Sequence, residues 1–145
     1  MVQNKKRMEN VYKSPKVQQF HLEGVPHIGV YDAFSAMLEG EVYLLDVREP
    51  EERHHGMFGE SENILYHPMS RIIDTFYGIP KDKPVVVCCE SGVRSMKVAN
   101  LLLKQGFPHV ANLDGGFMEW QQQGMPVVGG NSHSCHHCSG GCGGC

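Results

Sequence analysis

The run Cys89-Glu90-Ser91-Gly92-Val93-Arg94-Ser95 sets a thiol and a guanidinium in one short loop, with four residues between them. It follows the apolar stretch Val85-Val86-Val87-Cys88 and leads into a helical pattern that begins near Met96. A cysteine at the carboxyl end of a buried parallel strand stands where such sheets bind their ligands. The N–H groups of the loop and of the following helix make a concave anion site. That field favours thiolate over thiol at Cys89, and the thiolate is the nucleophilic form. Gly92 lets the backbone curl, and Arg94 offers either a fork for an oxyanion or a brace for the loop. Glu90, Ser91, Gly92, Val93 and Ser95 are the expected substrate-binding loop. Strand alternation turns Cys88 to the other side of the sheet, where a thiol packs as a small hydrophobe.

A second concentration of ligating side chains lies in residues 131–145, NSHSCHHCSGGCGGC. Cys135, Cys138, Cys142 and Cys145 form two C-x2-C pairs, with His136 and His137 between the first two cysteines. Four thiolates suit zinc or another soft metal. The three-residue gap between the pairs is short, and the surrounding glycines permit the turn it needs. The segment has no large apolar residue and cannot build a core of its own, so a metal-free, thiol-rich tail fits the composition too. Fully extended it reaches about 55 Å, which also puts its thiols within range of Cys89.

The elements that must position these groups follow from periodicity. A chain of 145 residues with 41% apolar and 20% charged side chains is one globular domain's worth. Helical spacing appears at 31–39 and 117–123, the latter anchored by Trp120, and in the stretch closed by Gly106. A shorter helix is expected at 69–77, and another where Pro50 opens the acidic stretch Glu49–Arg53. Strand patterns fall at 41–47, 63–66, 85–89 and 109–113. Strands alternating with helices predict an α/β fold, a parallel sheet with helices on both faces.

The organisation read from composition is an N-terminal extension at 1–24, a body at 25–130 and the tail at 131–145. The body carries 8 positive and 14 negative side chains, a charge of −6, which argues against a nucleic-acid partner. No stretch reaches the ~20 apolar residues of a membrane span. Six cysteines clustered in two places do not make a disulfide framework, and with no leader pattern the chain reads as cytoplasmic.

Leu44-Leu45-Asp46-Val47-Arg48-Glu49-Pro50, the block Val85–Ser95, Ala99–Gly106 and Asn112–Trp120 together resemble a single-domain rhodanese over about residues 25–128. The resemblance implies about five parallel strands and a sulfurtransferase. Cys89 would take a sulfane sulfur from thiosulfate or a persulfide, hold it as a persulfide within the N–H groups of residues 90–95, and pass it to a thiol, cyanide or a protein. Cys89 and Arg94 would be the catalytic residues, with Arg94 closing the loop; no metal or organic cofactor is required for the reaction, and a monomer is expected. Asp46 and Arg48 match a family motif and are read as structural groups near the site, while His54, His55 and His67 are read as solvated. Protein-tyrosine-type phosphatases place five residues between cysteine and arginine, so four make a smaller cradle. Phosphatase- or arsenate-reductase-like chemistry is the weaker alternative, beside a non-catalytic module that handles metal or sulfide through its tail. Two departures stand out. Glu90 lies where thiosulfate-active members often carry a basic residue, and its charge should repel a dianionic donor. Residues 54–63 keep only Gly56 of the family's Gly-His-Ile-Pro-Gly-Ala-like turn.

Overall fold

Val85, Val86 and Val87 alternate between the two faces of a strand buried on both sides, and this strand becomes the centre of the sheet. A computed structural model describes residues 15–129. Its strands are β1 (His27–Ile28), β2 (Tyr43–Asp46), β3 (Ile64–Tyr66), β4 (Val85–Cys88) and β5 (Val110–Leu113). They form one five-stranded sheet in the order β1-β5-β4-β2-β3, with every pairing parallel. The helices are α1 (Val30–Leu38), α2 (Ile72–Thr75), α3 (Val93–Lys104) and α4 (Gly116–Gln122), with 3-10 turns at Pro50–His55, Met69–Arg71 and Phe76–Gly78.

Alternation along the strands sorts the interior into two layers. Leu44, Val86, Cys88, Ala111 and Leu113 face Ala33, Ala36, Phe117 and Trp120 from α1 and α4. Leu45, Val85, Val87 and Val110 face Ile72 and Phe76 on one side and Met96, Ala99 and Leu102 of α3 on the other. Helices therefore cover both faces of the sheet, as the sequence predicts. No helix among the described residues is long and apolar enough to cross a membrane.

Several boundaries differ from the sequence reading. The strand expected at 85–89 ends at Cys88, so Cys89 opens the loop, and α3 starts at Val93 rather than near Met96. Gly92, at φ 95°, supplies the left-handed residue that turns the chain directly into the helix. Arg94 thus sits in the first helical turn and not in the loop. The helix expected at 69–77 is a single α-turn between two 3-10 turns, with Ile72 and Phe76 as its inward anchors. The two-residue strand β1, too short for any period-2 signal, has no counterpart in the sequence reading. Residues 15–24 of the extension are described, and Leu22 N–H meets Met96 Sδ on α3 at 2.8 Å. Residues 131–145 lie outside the described region.

Leu44 is fully buried on β2, between Val86 of β4 and Ile64 of β3. Leu44→Ala should lower unfolding stability by about 2–5 kcal/mol in a urea titration with an unchanged m value. A smaller loss would mean that the layer collapses around the missing side chain.

Candidate active site

The chain leaves β2 toward β3 at one side of the sheet and leaves β4 toward β5 at the other. Cys89, at the carboxyl end of β4, therefore stands at the topological switch point between β2 and β4, the position at which open parallel sheets take ligands. Cys89 Sγ accepts the N–H groups of Gly92 at 3.1 Å and Ser95 at 3.3 Å, and lies 3.3 Å from Ser95 Oγ. The loop is also held from behind. Phe117 and Met118 N–H groups, at the start of α4, donate to the carbonyls of Cys89 (2.8 Å) and Glu90 (2.9 Å). Only glycine fits at position 116, where a Cβ would lie 2.6 Å from both carbonyl oxygens. Cys89 is fully buried in this arrangement.

Its neighbour is equally buried but has different partners. Cys88 points into the opposite layer and its thiol donates to Leu45 O at 3.4 Å. Burial, reinforced by the Asp46 carboxylate, pushes the Cys88 thiol well above its ordinary range. Two adjacent cysteines thus occupy one inert and one donor-lined environment, and strand alternation alone separates them.

Asp46 and Arg48 form a buried pair under the loop. Arg48 is 0% exposed, and Nε and Nη2 meet the Asp46 carboxylate at 2.9–3.2 Å. Nη2 also reaches Gly56 O (2.9 Å), and Nη1 reaches Glu90 Oε2 (3.1 Å). The Phe117 ring lies 4.4 Å from the guanidinium carbon. Burial works against this charge, but Asp46 and Glu90 more than offset it and hold Arg48 above its ordinary range.

Glu90 therefore does not face the pocket as a bare charge. Its carboxylate is shared between Arg48 Nη1 and His55 Nδ1 (2.9 Å), which offsets part of the repulsion of a dianion expected from sequence. His55 is thus tied to the loop, while His54 is exposed and His67 Nδ1 pairs with Thr75 Oγ1 at 3.0 Å. Ser91 is exposed, and Val93 is half-buried at the start of α3. Arg94 turns both terminal nitrogens onto Glu52 of the 3-10 turn, at 2.7 and 2.5 Å. That fork is occupied, in the geometry of a brace.

Two further groups reach the site without having been singled out from sequence. Asn112 Oδ1 accepts from Ser95 Oγ at 2.5 Å, and Glu52 anchors Arg94. Their only signals were a polar residue inside the strand pattern HVANL and an acidic residue in the turn opened by Pro50. No group of His, Cys, Asp and Glu among the described residues is arranged to hold a metal. Cys135, Cys138, Cys142, Cys145, His136 and His137 lie outside them.

The bond from Arg94 holds the Glu52 carboxyl below its ordinary value of 4.5, with burial opposing. The stabilisation from this pair is then complete above that value and is lost as pH falls through the lower folded-state value. The stability gap between the protein and Glu52→Gln, measured by urea unfolding, should be constant from about pH 7 to 5 and shrink below about 4.5. A gap unchanged in acid would show that the ion pair does not carry it.

Comparison with known proteins agrees with this geometry. A family model described as Rhodanese-like domain matches residues 30–123. A sulfurtransferase of Allochromatium vinosum is 40% identical over 88 residues, 61% of this chain and 79% of its own. The thiosulfate sulfurtransferase GlpE of Vibrio cholerae is 29% identical over 101 residues, 70% of this chain and 92% of its own. Among solved structures, the polysulfide-sulfur transferase homodimer of Wolinella succinogenes superposes with a TM-score of 0.62 at 28% identity, over 77% of this chain and 83% of its own. The chain belongs to the rhodanese-like family, among sulfurtransferases built on the same parallel sheet.

Proposed function

We propose that the protein moves sulfane sulfur through a persulfide on Cys89, taking it from a persulfide or polysulfide in preference to thiosulfate. The observation that carries the chemistry is the pair of N–H groups, from Gly92 and Ser95, aimed at Cys89 Sγ at the end of the central strand. They stabilise negative charge on the sulfur before attack and on the persulfide after it. In the first half-reaction the Cys89 thiolate attacks the terminal sulfur of R–S–SH. A new S–S bond joins Cys89 Sγ to that terminal sulfur, the S–S bond of the donor breaks, and R–S⁻ leaves with the electron pair. In the second, an acceptor thiolate attacks the outer sulfur of Cys89–S–SH and Cys89 departs as thiolate. Cys89 is the catalytic residue, Arg94 a brace for the loop, and Asp46 with Arg48 the foundation beneath it.

The preference among donors rests on the two arginines. Thiosulfate brings a sulfonate that calls for a cationic clamp, and here Arg48 is engaged by Asp46 and Glu90 and Arg94 by Glu52. A persulfide or polysulfide needs no such clamp, and the Wolinella relative is named for polysulfide-sulfur transfer. The free thiols of Cys88 and Cys89 suit a reducing, cytoplasmic setting.

Incubation with a low-molecular-weight persulfide should add one sulfur atom to the intact mass, mapped to Cys89. Cys89→Ser should show neither this adduct nor transfer to a thiol above background, while Cys88→Ser keeps both. The kcat/KM for the persulfide should exceed that for thiosulfate by at least about tenfold, or 1.4 kcal/mol. An adduct that persists in Cys89→Ser overturns the mechanism, and equal kcat/KM values overturn the donor preference.

For the tail we propose a soft-metal site made by Cys135, Cys138, Cys142 and Cys145, with His136 and His137 as the alternative donors, apart from the sulfur-transfer chemistry. Its support is the paired C-x2-C spacing. The full chain purified with zinc should retain the metal through gel filtration, and a variant with all four cysteines changed to serine should not. Retention by that variant would reject the site.

A further inference from the structure

We propose that Gln18, ahead of the region matched by the family model, is a positioning residue for Cys89, acting by orienting the Ser95 hydroxyl through Asn112. The inference rests on Cys89 being the nucleophile.

The segment that carries Gln18 is tied down by one carboxylate. Asp114, 5% exposed just past the end of β5, accepts the backbone N–H groups of Lys16 (2.7 Å), Val17 (3.1 Å) and Gln18 (3.1 Å). This anchor brings the Gln18 side chain against the active-site loop so closely that a Cβ at Gly92 would collide with Gln18 Oε1. Gln18 Nε2 donates to the carbonyls of Phe20 (2.9 Å) and Gly92 (3.1 Å), and Oε1 accepts the N–H of Gly115 (2.8 Å). A carbonyl only accepts and a backbone N–H only donates, so the orientation of this amide is fixed by its partners.

Direction then propagates toward the sulfur. Gln18 Oε1 also faces Asn112 at 3.1 Å, which requires Asn112 to present its NH2 group there. The second hydrogen of that group points to His27 Nδ1 at 3.3 Å, which accepts it from the neutral ring with its proton on Nε2; burial lowers the His27 pKa and so favours the neutral ring. Asn112 Oδ1 is left facing Ser95, whose single hydroxyl proton is committed to it at 2.5 Å. Ser95 Oγ therefore turns a lone pair toward Cys89 Sγ and accepts the thiol proton at 3.3 Å. Every bond from Gly115 N–H to Cys89 has one allowed polarity. Once Cys89 is a thiolate, the Ser95 hydroxyl is held away from donating to it, and the Gly92 and Ser95 N–H groups remain the donors. A sulfur anion with fewer donors keeps more of its electron density for attack.

The test uses the full chain carrying Gln18→Met, which keeps the length of the side chain and removes its hydrogen bonds. Single-turnover persulfide formation at Cys89 should slow by about 5- to 20-fold per active site, the range for losing one or two positioning hydrogen bonds. Adduct stoichiometry should stay that of the unsubstituted chain. Ser95→Ala removes the hydroxyl through which the effect travels. In that background Gln18→Met should slow the reaction by about twofold or less, the non-additivity of residues on one chain of bonds. A merely structural role would lower Tm and adduct stoichiometry but leave the rate per active site intact. Should Gln18→Met fail to fold, Asp114→Asn, which loosens the anchor and leaves the amide in place, makes the same comparison. An unchanged rate, or an equal slowing in both backgrounds, overturns the proposal. Cys89→Ser, run alongside, separates that failure from a failure of the nucleophile assignment, since only the latter leaves an adduct.

Discussion

Arg48 is a cation with no exposure to water, and most of what surrounds Cys89 is arranged around keeping it satisfied. Desolvating a guanidinium is costly, and its removal from a buried pair leaves uncompensated carboxylates. The protein meets this by giving Arg48 partners on four elements: Asp46 at the end of β2, Gly56 after the 3-10 turn, Glu90 in the loop and the Phe117 ring of α4. A planar fork with several donors can serve all of these at once, which an ammonium could not. The position of the loop is in this sense a by-product of satisfying one buried charge.

The loop is gripped from its other side by neutral amides. Gln18 and Asn112 link Gly92, Gly115 and Ser95, so the curl around Cys89 lies between a charged scaffold under β2 and an uncharged one beside β5. The division has an electrostatic consequence. Carboxylates near the loop are turned toward arginines, Glu90 to Arg48 and Glu52 to Arg94, while the groups that touch the sulfur are backbone N–H donors and a hydroxyl. The proposed sulfur anion on Cys89 would thereby meet neutral donors directly, with each nearby carboxylate turned toward a guanidinium.

What could be read in the sequence was what depends on neighbours in the chain. The strand, the glycine-bearing loop and the helix after it are specified by a dozen consecutive residues, and strand alternation was enough to tell Cys88 from Cys89. What could not be read depends on distant partners. Glu90 looked repulsive because Arg48, 42 positions away, could not be placed against it. Gln18 lies in a polar, aperiodic stretch, and its anchor Asp114 is 96 residues along the chain. β1 has two residues and owes its existence to pairing with β5, so no local pattern marks it. The helix α3 begins three residues before its apolar pattern does, because the left-handed Gly92 turns the chain into the helix at once.

These two supports differ in how they respond to the reaction. The Arg48 scaffold is held by ion pairs within the interior, and the proposed conversion of the Cys89 thiol to a persulfide changes none of its partners. The Gln18 arm ends on Ser95 Oγ, which does touch the sulfur, so the same conversion alters its last bond: a proton accepted from the thiol is lost, and a larger anion takes its place. Because each amide in the arm has one allowed orientation, the change cannot be absorbed by flipping Asn112 or Gln18 without stranding a buried donor or acceptor. It must be met by the backbone donors of Gly92 and Ser95. A rigid polar arm therefore concentrates the charge of the intermediate on the loop, the part of the fold whose curvature Gly92 and Gly116 exist to permit.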